Sequence, residues 1–284
     1  MTGRCPLLNN NYEKRTVPMG RNVVSAKLDI IFKKLFSENK DLLQDFLAKT
    51  LDIPYESIDN ITIINPELPP ETLSGKFSRL DLTMEFDGKL VNIEIQVKNE
   101  PDFRDRTLFY WARLYTSDLK RGEEYGELKQ AITINIVNFN MFEDERYHRE
   151  IVPRDKETGE LFSDKFSIHF FELKKIGKKV NPNDGKELWM QFINAESEED
   201  FEMINSTNDP VMQKAINVIY DMSEDTKTRE IARLREKALH DEASALGNAR
   251  REGRAEGKAE GRAEIISKMK AAGMTDEQIR EILD

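Results

Sequence analysis

The sequence predicts an α+β protein, a mixed sheet with helices packed on it, followed by a helical C-terminal extension. Three observations predict it. Two alternating runs meet at Asp87-Gly88, two later apolar runs read as strands, and helical periodicity both precedes and follows them.

Each element follows in order. Residues 27–50 place Leu28, Ile31, Phe32, Leu35, Leu42, Leu43, Phe46 and Leu47 on a helical rhythm, and Ser37 with Asp41 marks a restart between two short helices. Residues 61–64 (ITII) read as a strand. Residues 79–86 and 90–97 alternate with period two around Asp87-Gly88, the residue pair that tolerates the positive φ angles of a type I′ turn. Pro101 and Asp102 open a helix to about Leu119, ended by Gly122. Strands follow at 131–137 and 166–172, so the order through residue 175 is α, β, β, β, α, β, β. The remainder reads as helical: Asp209-Pro210 caps a helix over 210–222, residues 226–246 continue, and a last unit turns at Gly273.

Composition excludes several classes. With 34% charged, 38% hydrophobic and 8% aromatic residues over 284 positions, the chain is no collagen, disulfide scaffold or membrane protein. No apolar run approaches the roughly 18 residues that span a bilayer. The first 25 residues lack the apolar stretch of a secretory signal, so a cytoplasmic protein with no membrane partner is expected. Cys5 is the one cysteine, which excludes an internal disulfide or a Cys-pair zinc site. The three histidines are isolated in sequence and receive no role; a metal, if used, is held by carboxylates. The net charge of −10 argues against nucleic acid at first sight. However, residues 187–225 hold ten acids against one Lys, and the rest is near neutral. The acidic total therefore does not exclude DNA; the block is expected to repel DNA or cover a basic groove at rest.

The hairpin carries the chemistry. A two-residue loop sets Phe86 opposite Lys89, hence Thr83 opposite Asn92, Asp81 opposite Glu94 and Arg79 opposite Gln96, with Lys98 one step further on that face. Leu80, Leu82, Met84, Val91, Ile93, Ile95 and Val97 form the apolar face. Opposed carboxylates, with Cβ atoms about 5 Å apart, destabilise a sheet unless something compensates. A hard divalent cation such as Mg²⁺ does so, and such an ion activates water and stabilises charge on a phosphodiester. Arg79 and Lys98 lie where phosphate would. The same pattern is also that of an ordinary solvent-facing hairpin. Likewise, Arg106, Tyr110 and Arg113 fall on neighbouring turns of the next helix, where they either contact DNA phosphates or form a solvated face around a buried Tyr. The lysine-rich segment 165–186 has the same two readings.

Taken together, Asp81, Glu94-Ile95-Gln96 after a hairpin, a preceding helix with Lys27-Leu28-Asp29-Ile30-Ile31-Phe32-Lys33, and a following helix with Arg106, Tyr110, Trp111 and Tyr115 resemble the Rpn group. These are recombination-promoting nucleases and transposases of the PD-(D/E)XK superfamily, and the resemblance covers roughly residues 25–245. It implies a restriction-endonuclease-like αβββαβ core. It also implies a metal-dependent DNA endonuclease acting in bacterial recombination, mobile DNA or phage defence, with DNA as partner and Mg²⁺ or another divalent cation as cofactor. Asp81 and Glu94 would be the metal-binding acids, Asp29 a helix-borne acidic partner, and Gln96 the group orienting water or phosphate. Two departures stand out: Leu80 replaces the Pro before the Asp, and Gln96 replaces the superfamily's Lys. Lys98 is the candidate to restore that charge; without it, a catalytically impaired relic that binds DNA or self-associates is the alternative.

The tail repeats Gly-Arg-Ala-Glu, Gly-Lys-Ala-Glu, Gly-Arg-Ala-Glu over 253–264, a pattern also typical of that group. Each helical Gly costs about 1 kcal/mol relative to Ala. Glu252, Glu256 and Glu260 form one row and Arg254, Lys258 and Arg262 another, so like charges neighbour each other within one helix. A second copy would pair the rows, which makes the tail a candidate homo-oligomerisation element; the other reading is a flexible charged linker. The expected organisation is a polar tail (1–25), a nuclease-like core (26–195), a helical region (196–246), and the repeat helix with its terminal hairpin (247–284).

Overall fold

The computed structural model describes residues 23–64, 82–117, 119 and 124–283. Arg79, Leu80, Asp81 and Gly122 lie outside the described residues, and with them the expected pairings of Asp81 with Glu94 and Arg79 with Gln96.

The chain begins with helices α1 (Asp29–Glu38) and α2 (Lys40–Thr50), separated at Asn39, whose ψ of 79° leaves the helical region. Strands β1 (Thr62–Ile63), β2 (Leu82–Phe86) and β3 (Lys89–Gln96) come next, then α3 (Phe103–Thr116), β4 (Gln130–Val137), β5 (His148–Ile151) and β6 (Phe166–Glu172). Helices α4 (Gly185–Asn194), α5 (Glu198–Asn205), α6 (Pro210–Glu224), α7 (Thr226–Ala271) and α8 (Asp276–Leu283) complete it. Among the described residues the strands form one mixed sheet in the order β1-β2-β3-β4-β6-β5. The hairpin adopts the expected register, Thr83 with Asn92 and Phe86 with Lys89, and Asp87 and Gly88 both have positive φ, 47° and 66°. Strands β3, β4 and β6 run parallel, so β3 and β4 need a crossover, which α3 supplies.

That crossover changes one expectation. The hairpin's polar face is not open to solvent: Asn92 and Glu94 are 6% and 3% exposed. Helix α3 packs over β3 and β4, and Trp111 Nε1 donates to the Ala131 carbonyl at 2.8 Å. Phe103 meets Phe139 and Phe170 edge to face, in a cluster with Val137 and Ile168. The remaining helices bury a second aromatic core of Phe32, Phe36, Phe46, Trp189 and Phe192, and α1 packs on β3. There Trp189 Nε1 donates to Asp45 at 2.8 Å, and burial raises the pKa of that carboxyl. At the end of β6, Glu172 accepts from the backbone of Met141 and Phe142 and pairs with Lys175 at 2.7 Å, which clamps the β4–β5 connection.

Edge strand β5 has only four residues and no clear alternation, so periodicity did not reveal it. It brings together two histidines that are far apart in sequence. His148 Nε2 lies 3.1 Å from His169 Nδ1, the rings stack, and Ser167 Oγ lies 2.9 Å from His169 Nε2 while donating to Glu150. Burial, then the charge of Lys186, pushes both imidazoles down to about 4.

The acidic block has a structural explanation. Asp209 caps α6 through the N–H groups of Val211 and Met212, and Asp225 accepts from Thr228 N at the start of α7. Ser197 and Asp200 form a capping box on α5, Glu187 lies in the first turn of α4, and Glu196 pairs with Lys27. Several helix N-termini in a short stretch draw acids to themselves.

Compact units comprise Met1–Ala232 and Arg233–Asp284. Helix α7 is continuous through residues 246 and 247 and through Gly253, Gly257 and Gly261. Gly273 turns the chain at φ 90°, Lys270 pairs with Asp276 at 2.9 Å, and Ile279 of α8 is buried.

The histidine pair predicts an acid-sensitive fold. Folded pKa values below the ordinary 6.5 mean that the unfolded chain takes up protons first, so stability is full above pH 6.5 and falls as pH drops towards about 4. Urea midpoints at pH 7.5 and 5 should show this loss, and His169→Gln should flatten it.

Candidate active site

Period two places Leu90, Asn92, Glu94 and Gln96 on the α3 side of β3, the central strand. Parallel register sets Asn135 of β4 beside Glu94 on the same face. Glu94 thus sits near the carboxyl end of a strand buried on both faces, where an ionised carboxylate needs a positive neighbour. Arg106, from the first turns of α3, supplies it: Nη2 lies 3.6 Å from Glu94 Oε1, and the Arg side chain is 10% exposed. The same guanidinium forms an ion pair with Glu100 through Nη1 and lies 5.0 Å from the centre of the Phe103 ring. Gln96 closes the network. Its Nε2 donates to the Lys98 carbonyl at 3.0 Å and approaches Glu100 Oε1 at 3.5 Å, bracing the bend between β3 and α3.

The structure therefore brings Glu94, Gln96 and Arg106 together around Glu100. Glu100 went unnoticed in the sequence; its signal is a carboxylate just before a helix and six positions before an arginine. Asn135 was missed as well. It is fully buried, its Nδ2 donates to the His169 carbonyl at 3.1 Å, and among the described residues its Oδ1 finds no hydrogen-bond partner.

Other expected site residues lie as follows. Strand β3 ends at Gln96, so half-buried Lys98 sits in the bend and not on the strand face, because the backbone turns there to enter α3. Asp29 opens α1 and accepts from Ile30 N at 2.9 Å. On α3, Arg106 is turned inward, Tyr110 is half-buried against Phe109, and Arg113 is exposed, 5.9 Å from the Phe109 ring centre. Phe109 itself is 60% exposed beside Leu108 at 52%. Arg79 and Asp81 lie outside the described residues.

The family model for PD-(D/E)XK nuclease family transposases matches residues 26–249, and the chain belongs to that family. The mixed sheet with flanking helices is accordingly a restriction-endonuclease-like core carrying a helical C-terminal extension. No curated protein and no solved structure matches it significantly.

Nucleases of this kind use divalent cations, and the oxygen chemistry here fits one. The Glu94 carboxylate and, at the paired position of β4, the buried Asn135 amide carbonyl, which has no hydrogen-bond partner among the described residues, are hard donors of the sort Mg²⁺, Mn²⁺ and Ca²⁺ take. Among the described residues no group of three or more His, Cys, Asp or Glu converges to hold a metal.

The bracing role of Gln96 is testable. Gln96→Ala should cost about 1 kcal/mol in urea unfolding. Gln96→Glu, which sets a second carboxylate against Glu100, should cost more.

Proposed function

We propose that the chain is a metal-dependent DNA endonuclease that hydrolyses phosphodiester bonds. The observation that carries this reading is the buried carboxylate of Glu94 on the central strand, with buried Asn135 at the paired position of β4. Asp81 and Glu94 would hold Mg²⁺ or another divalent cation, with Asn135 Oδ1 at its edge. When bound, such an ion lowers the pKa of a water and stabilises charge on the scissile phosphate.

The protein's own residues do the rest. Gln96 uses its amide nitrogen on Lys98 and Glu100, so it offers a water its carbonyl oxygen, an acceptor that orients a nucleophile without supplying charge. Lys98, in the bend beside it, is the group that would bring positive charge to the phosphate. Arg113 and Tyr110, with Arg79, would contact the DNA backbone along α3 and the hairpin, and Asp29 would serve as the helix-borne acid. Helix α3 excludes water from the Glu94 side of the sheet, which strengthens the electrostatics there. Among the described residues no helix is long and apolar enough to cross a membrane. The enzyme would act in the cytoplasm, in recombination, mobile DNA or phage defence.

The C-terminal unit supports self-association. A Cβ built on Gly253, Gly257 or Gly261 would meet nothing within 4 Å, so these glycines serve no close approach among the described residues. A partner copy would use that open stripe and pair the acidic row with the basic one.

Plasmid cleavage in Mg²⁺ tests the enzyme. Asp81→Ala and Glu94→Ala should each lower nicking on the order of 100-fold or more. Equal nicking by all three chains would remove the activity from this site, and binding of DNA without nicking would favour the catalytically impaired DNA-binding or self-associating alternative. Deleting residues 247–284 should lower the assembly state measured by light scattering; an unchanged state would defeat the oligomer reading.

A further inference from the structure

The proposed metal site already contains a resident cation. Arg106 Nη2 lies 3.6 Å from Glu94 Oε1, and the two side chains are 10% and 3% exposed. A buried carboxylate without a positive neighbour is strongly unfavourable, so a guanidinium here stabilises the metal-free protein. The same guanidinium is an obstacle once a divalent cation arrives, since two positive groups then crowd one carboxylate. The structure holds a second seat for it. Glu100 is already ion-paired with Arg106 Nη1, is 38% exposed, and is steadied by Gln96 at 3.5 Å. Phe103 supports the guanidinium from its ring face, which suits either seat.

We propose that Arg106 is the metal-free counter-ion of Glu94, and that Glu100 is a positioning residue that takes Arg106 over when a divalent cation binds. Arg106 thereby sets how tightly the site takes its metal. The exchange keeps the buried charge compensated in both states, and it rests on the reading of Glu94 as a metal ligand. It assigns opposite effects to two residues that touch each other: Arg106 competes with the metal, and Glu100 relieves that competition.

Mn²⁺ binding to the full chain without DNA, followed by the electron paramagnetic resonance signal of free Mn²⁺, tests this directly. Arg106→Gln should bind Mn²⁺ about tenfold more tightly, because the competitor is gone. Its melting temperature without metal should fall and recover at saturating Mn²⁺. Glu100→Gln should bind several-fold more weakly, because the charge that draws Arg106 away from Glu94 is then gone. Unchanged or weaker binding by Arg106→Gln, or a shift of both variants in the same direction, would overturn the exchange. Should Arg106→Gln fail to fold, Glu100→Gln decides alone: unchanged or tighter binding overturns it. Glu94→Gln separates the two levels. If wild type binds no Mn²⁺, or Glu94→Gln binds as wild type does, the metal-site reading fails and the exchange with it. If Glu94→Gln abolishes binding while Arg106→Gln and Glu100→Gln leave it unmoved, only the exchange fails.

Discussion

A carboxylate buried on the central strand of a sheet sets the terms for everything around it. Glu94 reaches 3% exposure because β3 and β4 run parallel, and a parallel pair needs a connection that crosses one face. That connection is α3, and a helix laid over a carboxylate must bring a cation with it. Arg106 meets the requirement, Glu100 shares the guanidinium, and Gln96 holds the bend that presents Glu100. The aromatic packing of Phe103 and Trp111 then anchors α3 where Arg106 needs it.

Much of this was legible in the sequence because it is local. The hairpin register follows from two residues, Asp87 and Gly88, and from a strict alternation on either side. The break between α1 and α2, the Asp209-Pro210 cap and the turn at Gly273 likewise need only neighbours a few positions away. Glu94 could be singled out from its place in the hairpin, but its burial could not: alternation tells which face a residue is on, not what lies over that face. For the same reason Arg106 read as a surface contact and proved to point inward. The His148–His169 pair depends on an edge strand too short to announce itself.

The concentration of acids between residues 187 and 225 is a further case. As a count it resembles a patch designed against nucleic acid. Residue by residue, it is mostly the cost of starting several helices in quick succession, with Asp200, Asp209 and Asp225 each satisfying backbone N–H groups. Those helix N-termini, which elsewhere bind phosphate, are already occupied by the chain's own carboxylates. Those N-termini therefore offer a phosphate no free backbone donors.

The charge network around Glu94 is also compact along the chain. Glu94, Gln96, Glu100 and Arg106 span a single strand-to-helix passage, so their mutual compensation involves little loop closure. The residues that compensate Glu94 come from the strand itself and the helix directly after it, although α3 is anchored by Phe103 on β6 and Trp111 on β4. In a growing chain, the cation that answers this buried carboxylate leaves the ribosome only about a dozen residues after it, so the two are never far apart before the sheet closes over them.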